Sequence, residues 1–342
     1  PAESLDGRRH ILYFDGAMSE AQVFVNGEKV CFWPYGYNSF WCDVTGNIKI
    51  GTNELAVLLE NRPQSSRWYP GAGLYRKVRH ITLPKVHIPV WGTYVTVPYI
   101  GKDHAVVRVR TKVNGISDGA AVTIKTRIVD IQGKVMAEDT DTRQIHKGEV
   151  EQNITVSEPA LWSPENPVLY FAETEVFTGG SIDTDWNMER PRISISHGEE
   201  LQDKVSTRFG FRTIEIRPDE GFLLNGQVRK FRGVCLHHDL GPLGAAINKS
   251  AIRRQLTMLK DMGCDAIRTS HNMPAEELIE LCDEMGFMVM CENFDEWDIA
   301  KCENGYHRFF NEDSGDGRIW AERDMMNMLH HFRNNASVVM WS

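Results

Sequence analysis

The chain has 342 residues, of which 42% are hydrophobic and 25% are charged, proportions that exclude a disordered protein and are typical of a globular one. Its length allows two or three domains with separate cores. The 47 acidic residues outnumber the 38 basic ones, and the formal net charge of -9 disfavours nucleic acid and anionic membranes as partners. We therefore expect a neutral or polar ligand.

The seven cysteines are odd in number and scattered, and no two of them form a C-x-x-C pair. This pattern indicates neither a zinc ribbon nor a disulfide framework, so we expect most of the cysteines to be small buried apolar residues. No apolar run reaches the roughly 20 residues that a membrane-spanning helix requires. The chain begins with Pro1 rather than Met, so we expect any targeting signal upstream, and the compartment stays open between cytoplasmic, periplasmic and secreted.

From His10 to about Pro218 the sequence consists of short alternating runs that end at Gly, Asn, Asp or Pro. Examples are "ILYFDG", "AQVFVNG", "AVVRVRTKV", "AAVTIKTRIVD" and "RTIEIR". Alternation with a period of two predicts antiparallel strands. A break at "LPKVHIPVWG" divides this region, so we predict one β-sandwich over residues 1–84 and another over residues 85–217. The first segment is short for a complete sandwich.

After "GFLLNGQVRKFRGVCLHH" the apolar period changes from two to about 3.6. Helices are predicted in "NKSAIRRQLTMLKDMG", in "PAEELIELCDEMG" with Pro274 in its first turn, and in "GRIWAERDMMNMLHHFRNN". The apolar residues of the last helix are Ile319, Met325, Leu329 and Phe332. The strands "KFRGVCL", "CDAIRTS", "FMVMCEN" and "SVVMW" alternate with these helices, which predicts a parallel β/α unit equal to half of an eight-stranded barrel over residues 218–342.

Polar side chains follow the predicted strands of this unit. His237 follows the first strand, Arg268 and His271 follow the second, and Glu292 and Asp295 follow the third. In a barrel of parallel strands the ligand lies at the carboxyl ends of the strands, so we expect these side chains to line one site.

Four segments resemble glycoside hydrolase family 2, in the order in which that family has them. "RWYPGAGLYRKVRHITL" resembles the end of its sugar-binding jelly-roll domain, "LWSPENPVLY" its immunoglobulin-like second domain, and "RGVCLHHDLGPLG" its first barrel strand. "AIRTSHNMPAEELIELCDEMGFMVMCENFD" resembles the signature of its barrel, with departures at Asp265, at Asn-Met-Pro after His271 and at Cys291. Within the family, the pattern is most similar to β-galactosidase-like members.

The resemblance implies a multidomain fold. Residues 1–84 correspond to the C-terminal part of a jelly-roll β-sandwich, residues 85–217 to an immunoglobulin-like β-sandwich, and residues 218–342 to the first half of a (β/α)8 TIM barrel.

The resemblance also implies an activity, the retaining hydrolysis of terminal β-D-galactosides in carbohydrate metabolism. A β-glucuronidase or β-mannosidase of the same family and a non-catalytic carbohydrate-binding fragment are the alternatives. Retention requires two carboxyl groups about 5–5.5 Å apart. The family places its acid/base Glu in a Trp-Ser-x-Gly-Asn-Glu segment, whereas this sequence ends at Trp341-Ser342. We therefore expect the acid/base and nucleophile beyond Ser342, and the chain alone to be inactive.

The resemblance implies that His237 and His271 contact the sugar and that Arg268 orients the site beside the carboxylates. Sugar hydroxyls both donate and accept hydrogen bonds, so fixed charged and imidazole partners suit them. The full set that we expect at the substrate is His237, Arg268, His271, Asn272, Glu292, Asp295, Trp297 and Arg67, the last from the jelly-roll loop.

Several of these residues have plainer interpretations. Arg268 and Glu292 are also compatible with an internal ion pair, Asn272 with a helix start ahead of Pro274, and Trp297 with a ring packed under a loop. His238 should point away from His237, which favours a packing or capping role.

A third class of protein, a metal-dependent hydrolase with His237, His238, His271 and Asp295 as ligands, is disfavoured because consecutive strand residues diverge. The family chemistry requires no organic cofactor. The segment "ENFDEWD" does not reproduce a metal-ligand pattern, although the sequence does not exclude a structural or activating divalent metal. The expected partners are an oligosaccharide or β-glycoside and the remainder of the barrel or another chain against the half-barrel. A homo-oligomer is compatible with the sequence, whereas nucleic acid and membrane are not expected.

Overall fold

A computed structural model describes Leu5 and residues 7–68, 71–185 and 192–342. Tyr69 and Pro70 of the "RWYPG" segment therefore lie outside the described residues. The chain forms two compact units, one built from Pro1–Thr82, Lys230–Phe332 and Ser337–Ser342, the other from Leu83–Arg229 and Arg333–Ala336. The predicted jelly-roll segment and most of the predicted half-barrel thus share one unit, while the domain boundaries after residues 84 and 217 stay predictions.

The amino-terminal part of the first unit is a β-sandwich. Its strands in the described residues are β1 (Arg9–Phe14), β2 (Ala21–Val25), β3 (Glu28–Trp33), β4 (Phe40–Asp43), β5 (Leu55–Leu58) and β6 (Val78–Leu83). They form sheets of order β4-β1-β6 and β3-β2-β5. In β2 the buried residues Ala21, Val23 and Val25 alternate with half-buried ones, so one face of the strand enters the core. Phe14 and Phe40 stack there with ring centroids 4.8 Å apart, which joins strands of one sheet in the shared core.

The structure pairs Cys31 of β3 with Cys42 of β4 as a disulfide. The sequence indicated no disulfide framework, and this bond corrects that interpretation for Cys31 and Cys42. The two residues are 11 positions apart in sequence, but the fold brings their Cα atoms within 6.0 Å, a proximity that spacing alone does not reveal. Cys282 and Cys291 are free and fully buried, in agreement with the apolar role expected for most cysteines.

The second unit is a β-sandwich as predicted. Its strands in the described residues are β7 (Thr93–Ile100), β8 (His104–Lys112), β9 (Ala121–Asp130), β10 (Val135–Gln144), β11 (Glu149–Ser157), β12 (Tyr170–Thr178), β13 (Ser181–Asp185), β14 (Arg192–Ser196), β15 (Glu200–Phe209), β16 (Ile214–Arg217), β17 (Gly221–Leu224) and β18 (Gln227–Val228). The sandwich sheets have the orders β10-β9-β12-β15 and β11-β8-β7, and the pairs within them are antiparallel. Side chains from both sheets share one core, which includes Val107, Ile128 and Phe209.

The carboxyl-terminal part of the first unit has the predicted β/α alternation. Its elements in the described residues are β19 (Gly233–Leu236), a 3-10 turn (Gly241–Leu243), α1 (Lys249–Asp261), β20 (Ala266–Thr269), α2 (Glu276–Met285), β21 (Met288–Cys291), α3 (His307–Phe310), α4 (Trp320–Phe332) and β22 (Val338–Trp341). The sheet order is β19-β20-β21-β22, and each pair is parallel. Leu256, Ile279 and Phe332 of the helices pack on Ile267 and Val289 of the strands, so the helices cover one face of this sheet.

Two helix details differ from the sequence predictions. The N-cap of α2 is Ala275, so Pro274 precedes the helix instead of lying in its first turn. Ile319 precedes α4, which begins at Trp320, and Met325 lies within it. These two side chains are 37% and 43% exposed, so the predicted apolar face is wrong for both residues. The buried face of α4 includes the polar residue Asp324, which accepts hydrogen bonds from Trp33 and Asn38. A helix face predicted from apolar residues alone does not include such a position.

No helix in the described part of the chain is both long and apolar enough to cross a membrane.

Candidate functional site

Parallel pairing brings the ends of three strands to one edge of the sheet. Cys235 of β19 lies opposite Arg268 of β20, and Arg268 lies opposite Met290 of β21. His237 and Glu292 follow these strands within two residues, so they come to the same edge as Arg268. This is the end at which a barrel of parallel strands binds its ligand.

Arg268, His271 and Glu292 form one hydrogen-bonded cluster. The Nε of Arg268 donates to the Glu292 carboxylate, and the Nδ1 of His271 lies 3.0 Å from Glu292 Oε2 and 3.1 Å from Arg268 Nη2. A guanidinium only donates and a carboxylate only accepts, so Nδ1 serves one of these two partners at a time. The hydrogen bond from Arg268 to Glu292 holds the pKa of the guanidinium above its usual value. The side chain of Glu292 is 6% exposed and that of Arg268 is 42% exposed. The carboxylate is therefore buried, while the guanidinium remains accessible to a ligand.

A second ion pair joins the loop between β5 and β6 to the loop after β21. The Nε of Arg67 donates to Asp295 Oδ2 over 3.2 Å, and its Nη2 donates to Oδ1. Burial acts to raise the pKa of Asp295, but the hydrogen bond and charge of Arg67, with the charge of Lys301, outweigh it and keep the pKa below its usual value. Arg67 thus reaches the site from a distant part of the sequence.

Aromatic rings surround these charges. Trp68 stacks on His237 with ring centroids 4.4 Å apart, and the His237 ring meets the His271 ring edge-on at 5.4 Å. Trp297 is 58% exposed, and the Nζ of Lys301 lies 5.2 Å from the centroid of its ring. Trp297 is therefore not packed under a loop, and its ring offers an apolar surface at the site.

A cavity of about 690 Å³ contains most of the predicted site residues. Its lining comprises Arg67, Arg268, His271, Glu292, Phe294, Asp295, Trp297, Lys301, Phe310, Ile319, Ala321, Glu322, Met325 and Ser342. His237 is brought to this group by its ring contact with His271. A volume of this size accommodates a drug-sized ligand.

Asn272 has a different environment from the other predicted residues. It is 6% exposed, and the Tyr35 hydroxyl donates to its Oδ1. Because the N-cap of α2 is Ala275, three residues after Asn272, the interpretation of Asn272 as a helix-start residue is wrong. The structure makes it a buried partner of the amino-terminal β-sandwich.

His238 contacts different rings from those that His237 contacts. Its ring lies 5.2 Å from that of Tyr37, and burial, with the charge of Arg76, lowers its pKa to about 3. A neutral, enclosed imidazole fits the packing role. Among the described residues, no group of three or more His, Cys, Asp or Glu side chains could hold a metal ion.

The loop after β21 contains site residues that the sequence analysis missed. The Glu296 carboxylate accepts hydrogen bonds from the backbone amides of Lys301, Cys302 and His307, the latter two over 2.9 and 3.1 Å. Burial acts to raise the pKa of Glu296, but these amide contacts outweigh it and lower the pKa. The loop therefore folds around one carboxylate and presents Trp297 and Lys301 to the cavity. Nothing in "DEWDIAKCENGYH" has the period of a helix or strand, so no local pattern predicts this arrangement.

Two models of one protein family match the sequence. The model described as "Glycosyl hydrolases family 2, TIM barrel domain" matches residues 214–342, and the model described as "Glycosyl hydrolases family 2" matches residues 86–187. Together they cover more than half of the chain.

Individual proteins agree with these models. The chain is 40% identical to "Beta-galactosidase BoGH2A" of Bacteroides ovatus over 98% of this chain and 37% of that protein. It is 32% identical to a "Putative beta-glucuronidase" of Formosa agariphila over 96% of this chain and 29% of that protein. It superimposes on a solved glycosyl hydrolase family 2 member from Bacteroides cellulosilyticus with a TM-score of 0.88 and 30% identity, over 99% of this chain and 41% of that one. The chain thus spans well under half the length of these relatives.

Proposed function

This chain belongs to glycoside hydrolase family 2, and we propose that it forms the amino-terminal and central part of a retaining β-glycosidase that hydrolyses terminal β-D-galactosides. The observation that carries the proposal is the cavity at the carboxyl ends of β20 and β21. There the Arg268, His271 and Glu292 cluster faces the ion pair of Arg67 and Asp295.

The site residues have distinct proposed roles. His271, with the adjacent His237, hydrogen-bonds sugar hydroxyls, since an imidazole has one donor and one acceptor nitrogen when neutral. The exposed part of Arg268 orients the sugar beside Glu292. Trp297 packs its ring on the apolar face of a pyranose. Each group is fixed by a protein partner before the sugar enters, which favours discrimination between epimers.

We propose that these 342 residues bind substrate without hydrolysing it. A general acid must carry a proton at working pH, yet Arg67 keeps the pKa of Asp295 low and so keeps it ionised. Glu292 is committed to Arg268 and His271, which suits a positioning carboxylate better than a nucleophile. The acid/base and the nucleophile are therefore assigned to segments other than these 342 residues.

A β-glucuronide is the second candidate substrate. Lys301 adds a cation to the cavity, with its Nζ on the backbone carbonyl of Asp295 and near the Trp297 ring. A sugar carboxylate would gain a charge-assisted hydrogen bond from such an ammonium group.

The test is the hydrolysis of 4-nitrophenyl β-D-galactoside, glucuronide, mannoside and glucoside by the full-length polypeptide that contains this chain. We expect the highest kcat/KM for the galactoside, and a β-configured first product by NMR. A preference for the glucuronide would select the second candidate, and no hydrolysis of any substrate would contradict the glycosidase assignment. The 342-residue chain alone should show no turnover, and genuine hydrolysis by it would contradict the roles given to its carboxylates.

A further inference from the structure

The segment between β20 and α2 carries His271, and its next three residues are held from the jelly-roll part of the same unit. Asn272, Met273 and Pro274 each make a hydrogen bond to a jelly-roll side chain. We call these three residues the Asn272–Pro274 segment. Because His271 directly precedes these residues, their position determines the position of the His271 backbone and thus of its imidazole.

Tyr35 is the first of the jelly-roll partners. Its buried hydroxyl contacts both Asn272 Oδ1 and the backbone carbonyl of Asn293. Asn272 follows β20 and Asn293 follows β21, so one hydroxyl links the loops after two neighbouring strands. The ring is fixed by Tyr306 and Phe294, with centroids 4.5 and 5.5 Å away. The hydroxyl therefore has little freedom to leave its partners.

Arg76 is the second partner. The residue is only 6% exposed, and its guanidinium donates to backbone carbonyls on two sides. On the jelly-roll side, Nη1 donates to Tyr37 over 2.8 Å and to Asp15 over 3.3 Å. On the other side, Nη2 donates to Met273 over 3.1 Å, and Nη1 approaches Pro274 at 3.4 Å. A planar guanidinium with five donors can bridge two such sets of carbonyls, whereas a lysine ammonium cannot span them in the same geometry.

We propose that Tyr35 and Arg76 are positioning residues: they fix the Asn272–Pro274 segment and thereby hold His271 at Arg268 and Glu292. Neither side chain lines the 690 Å³ cavity, so neither is assigned a contact with the substrate. The structural part of this inference is independent of the proposed function, and only its kinetic consequence rests on it. Through these contacts the jelly-roll part shapes the sugar site as well as supplying Arg67 to it.

The main test is Tyr35→Phe in the full-length protein, because it removes one hydroxyl and keeps the buried ring. We expect amide hydrogen exchange in residues 270–275 to become at least tenfold faster, while β20 and α2 keep their protection. For the preferred β-glycoside, we expect kcat to fall at least tenfold and KM to change less than threefold. We expect kcat to change more than KM because a less preorganised site loses more binding of the transition state than of the substrate.

The matched control is Tyr170→Phe in the second unit, where a buried tyrosine hydroxyl accepts from the Ala160 amide over 3.0 Å. This variant should leave both kcat and exchange in residues 270–275 at their wild-type values. If Tyr35→Phe fails to accumulate as folded protein, Arg76→Lys replaces it with the same expected results.

Three results would overturn the inference. Unchanged exchange in residues 270–275 would show that the hydroxyl does not hold the segment. Faster exchange with wild-type kcat would show a purely structural role, and faster exchange spread equally over β20 and α2 would show general destabilisation. If the wild-type protein hydrolyses no β-glycoside, the proposed function fails, while the exchange measurement still decides the structural inference.

Discussion

The Glu292 carboxylate accepts a hydrogen bond from Arg268 across neighbouring strands, with Glu292 nearly buried and Arg268 half exposed. The sequence left two interpretations of this pair, an internal ion pair and a part of the binding site. The geometry accommodates both, because the buried carboxylate fixes the guanidinium while that guanidinium lines the cavity. A buried carboxylate that loses its partner is costly, so the pair should affect stability and activity together.

We therefore predict that Arg268→Ala lowers both the unfolding free energy and kcat/KM of the full-length protein. The expected loss of stability is about 1–3 kcal/mol, since Glu292 stays buried and loses the hydrogen bond from Arg268. Urea denaturation and steady-state kinetics measure the two effects. Arg253→Ala is the control, because Arg253 pairs with Glu284 on the surface and such pairs contribute about 0–1 kcal/mol. If the two substitutions lowered the unfolding free energy equally, the buried Glu292 carboxylate would not need Arg268 as its partner.

His271→Ala should separate activity from stability. The imidazole is 30% exposed and lines the cavity, so its loss should lower kcat/KM more than tenfold, or about 1.4 kcal/mol of transition-state stabilisation. The melting temperature should change little. His146→Ala, at a side chain that is 68% exposed in the second unit, serves as the control. A His271 variant with full activity would leave this residue with a structural role only.

Much of the fold could be predicted from the sequence because its apolar periods are clear. The change of period near residue 230 separates the β-rich region from the β/α unit, and the strands of that unit lie where the runs predict them. The strand-end positions of Arg268 and Glu292 followed from this, since parallel strands end at one edge.

The rest depended on long-range contacts. Tyr35 lies 237 residues from Asn272 in sequence. The resemblance placed Arg67 at the site, but its direct pairing with Asp295, 228 residues away, was not predicted. No local pattern encodes such pairs. The burial of Asp324 in α4 was missed for the same reason, because Trp33 and Asn38, which bond to it, belong to the amino-terminal β-sandwich.

Gly305→Ala should disrupt the loop after β21. A Cβ at residue 305 would lie 1.7 Å from Glu296 Oε2, so the carboxylate that organises the loop would have to move. We expect a higher KM and faster amide exchange in residues 296–307. Gly46→Ala is the matched control, because a Cβ there meets nothing within 4 Å. A Gly305 variant with wild-type KM and exchange would show that Glu296 does not organise the loop.

Asp324 predicts a particular pH dependence of stability. Burial raises its pKa from 3.8 to about 7, against the opposing hydrogen bonds of Tyr306, Trp33 and Asn38. The folded state therefore binds the proton more tightly than the unfolded state. This contribution to stability is fully present below about pH 4 and is lost as the pH rises to about 7.

Asp324→Asn isolates this effect, because an amide does not titrate. The unfolding free energy of the wild type minus that of the variant should fall between about pH 4 and pH 7 and then level off. Urea denaturation at several pH values measures the difference. Burial lowers the pKa values of His238 and His331 to about 3. Their contribution to the unfolding free energy therefore falls as the pH drops below about 6.5, and because it does so in both proteins it cancels in the subtraction. A difference that is constant with pH would contradict the proposed proton uptake.

The last prediction concerns residues 219–342 in isolation. In the described part of this sheet β19 and β22 are the outer strands, as the sequence predicted, so each presents unpaired backbone groups on one side. Cys235 and Trp341 on these strands are exposed, and Met290 on β21 is half-buried, which leaves apolar surface on the face opposite the helices.

The same segment also shares a core with the amino-terminal β-sandwich. Tyr306 and Trp320 belong to the cluster that contains Phe14 and Phe40, so separating the two parts would expose rings that are now buried. Burial of such rings is a major source of stability. We therefore expect residues 219–342 alone to be partly molten or to associate, and residues 1–342 to be better protected in β20 and α2. Size-exclusion chromatography and hydrogen exchange on both proteins test this prediction. A monodisperse monomer of residues 219–342 with strongly protected amides in "SVVMW" would contradict it, because the segment would then form a closed domain of its own.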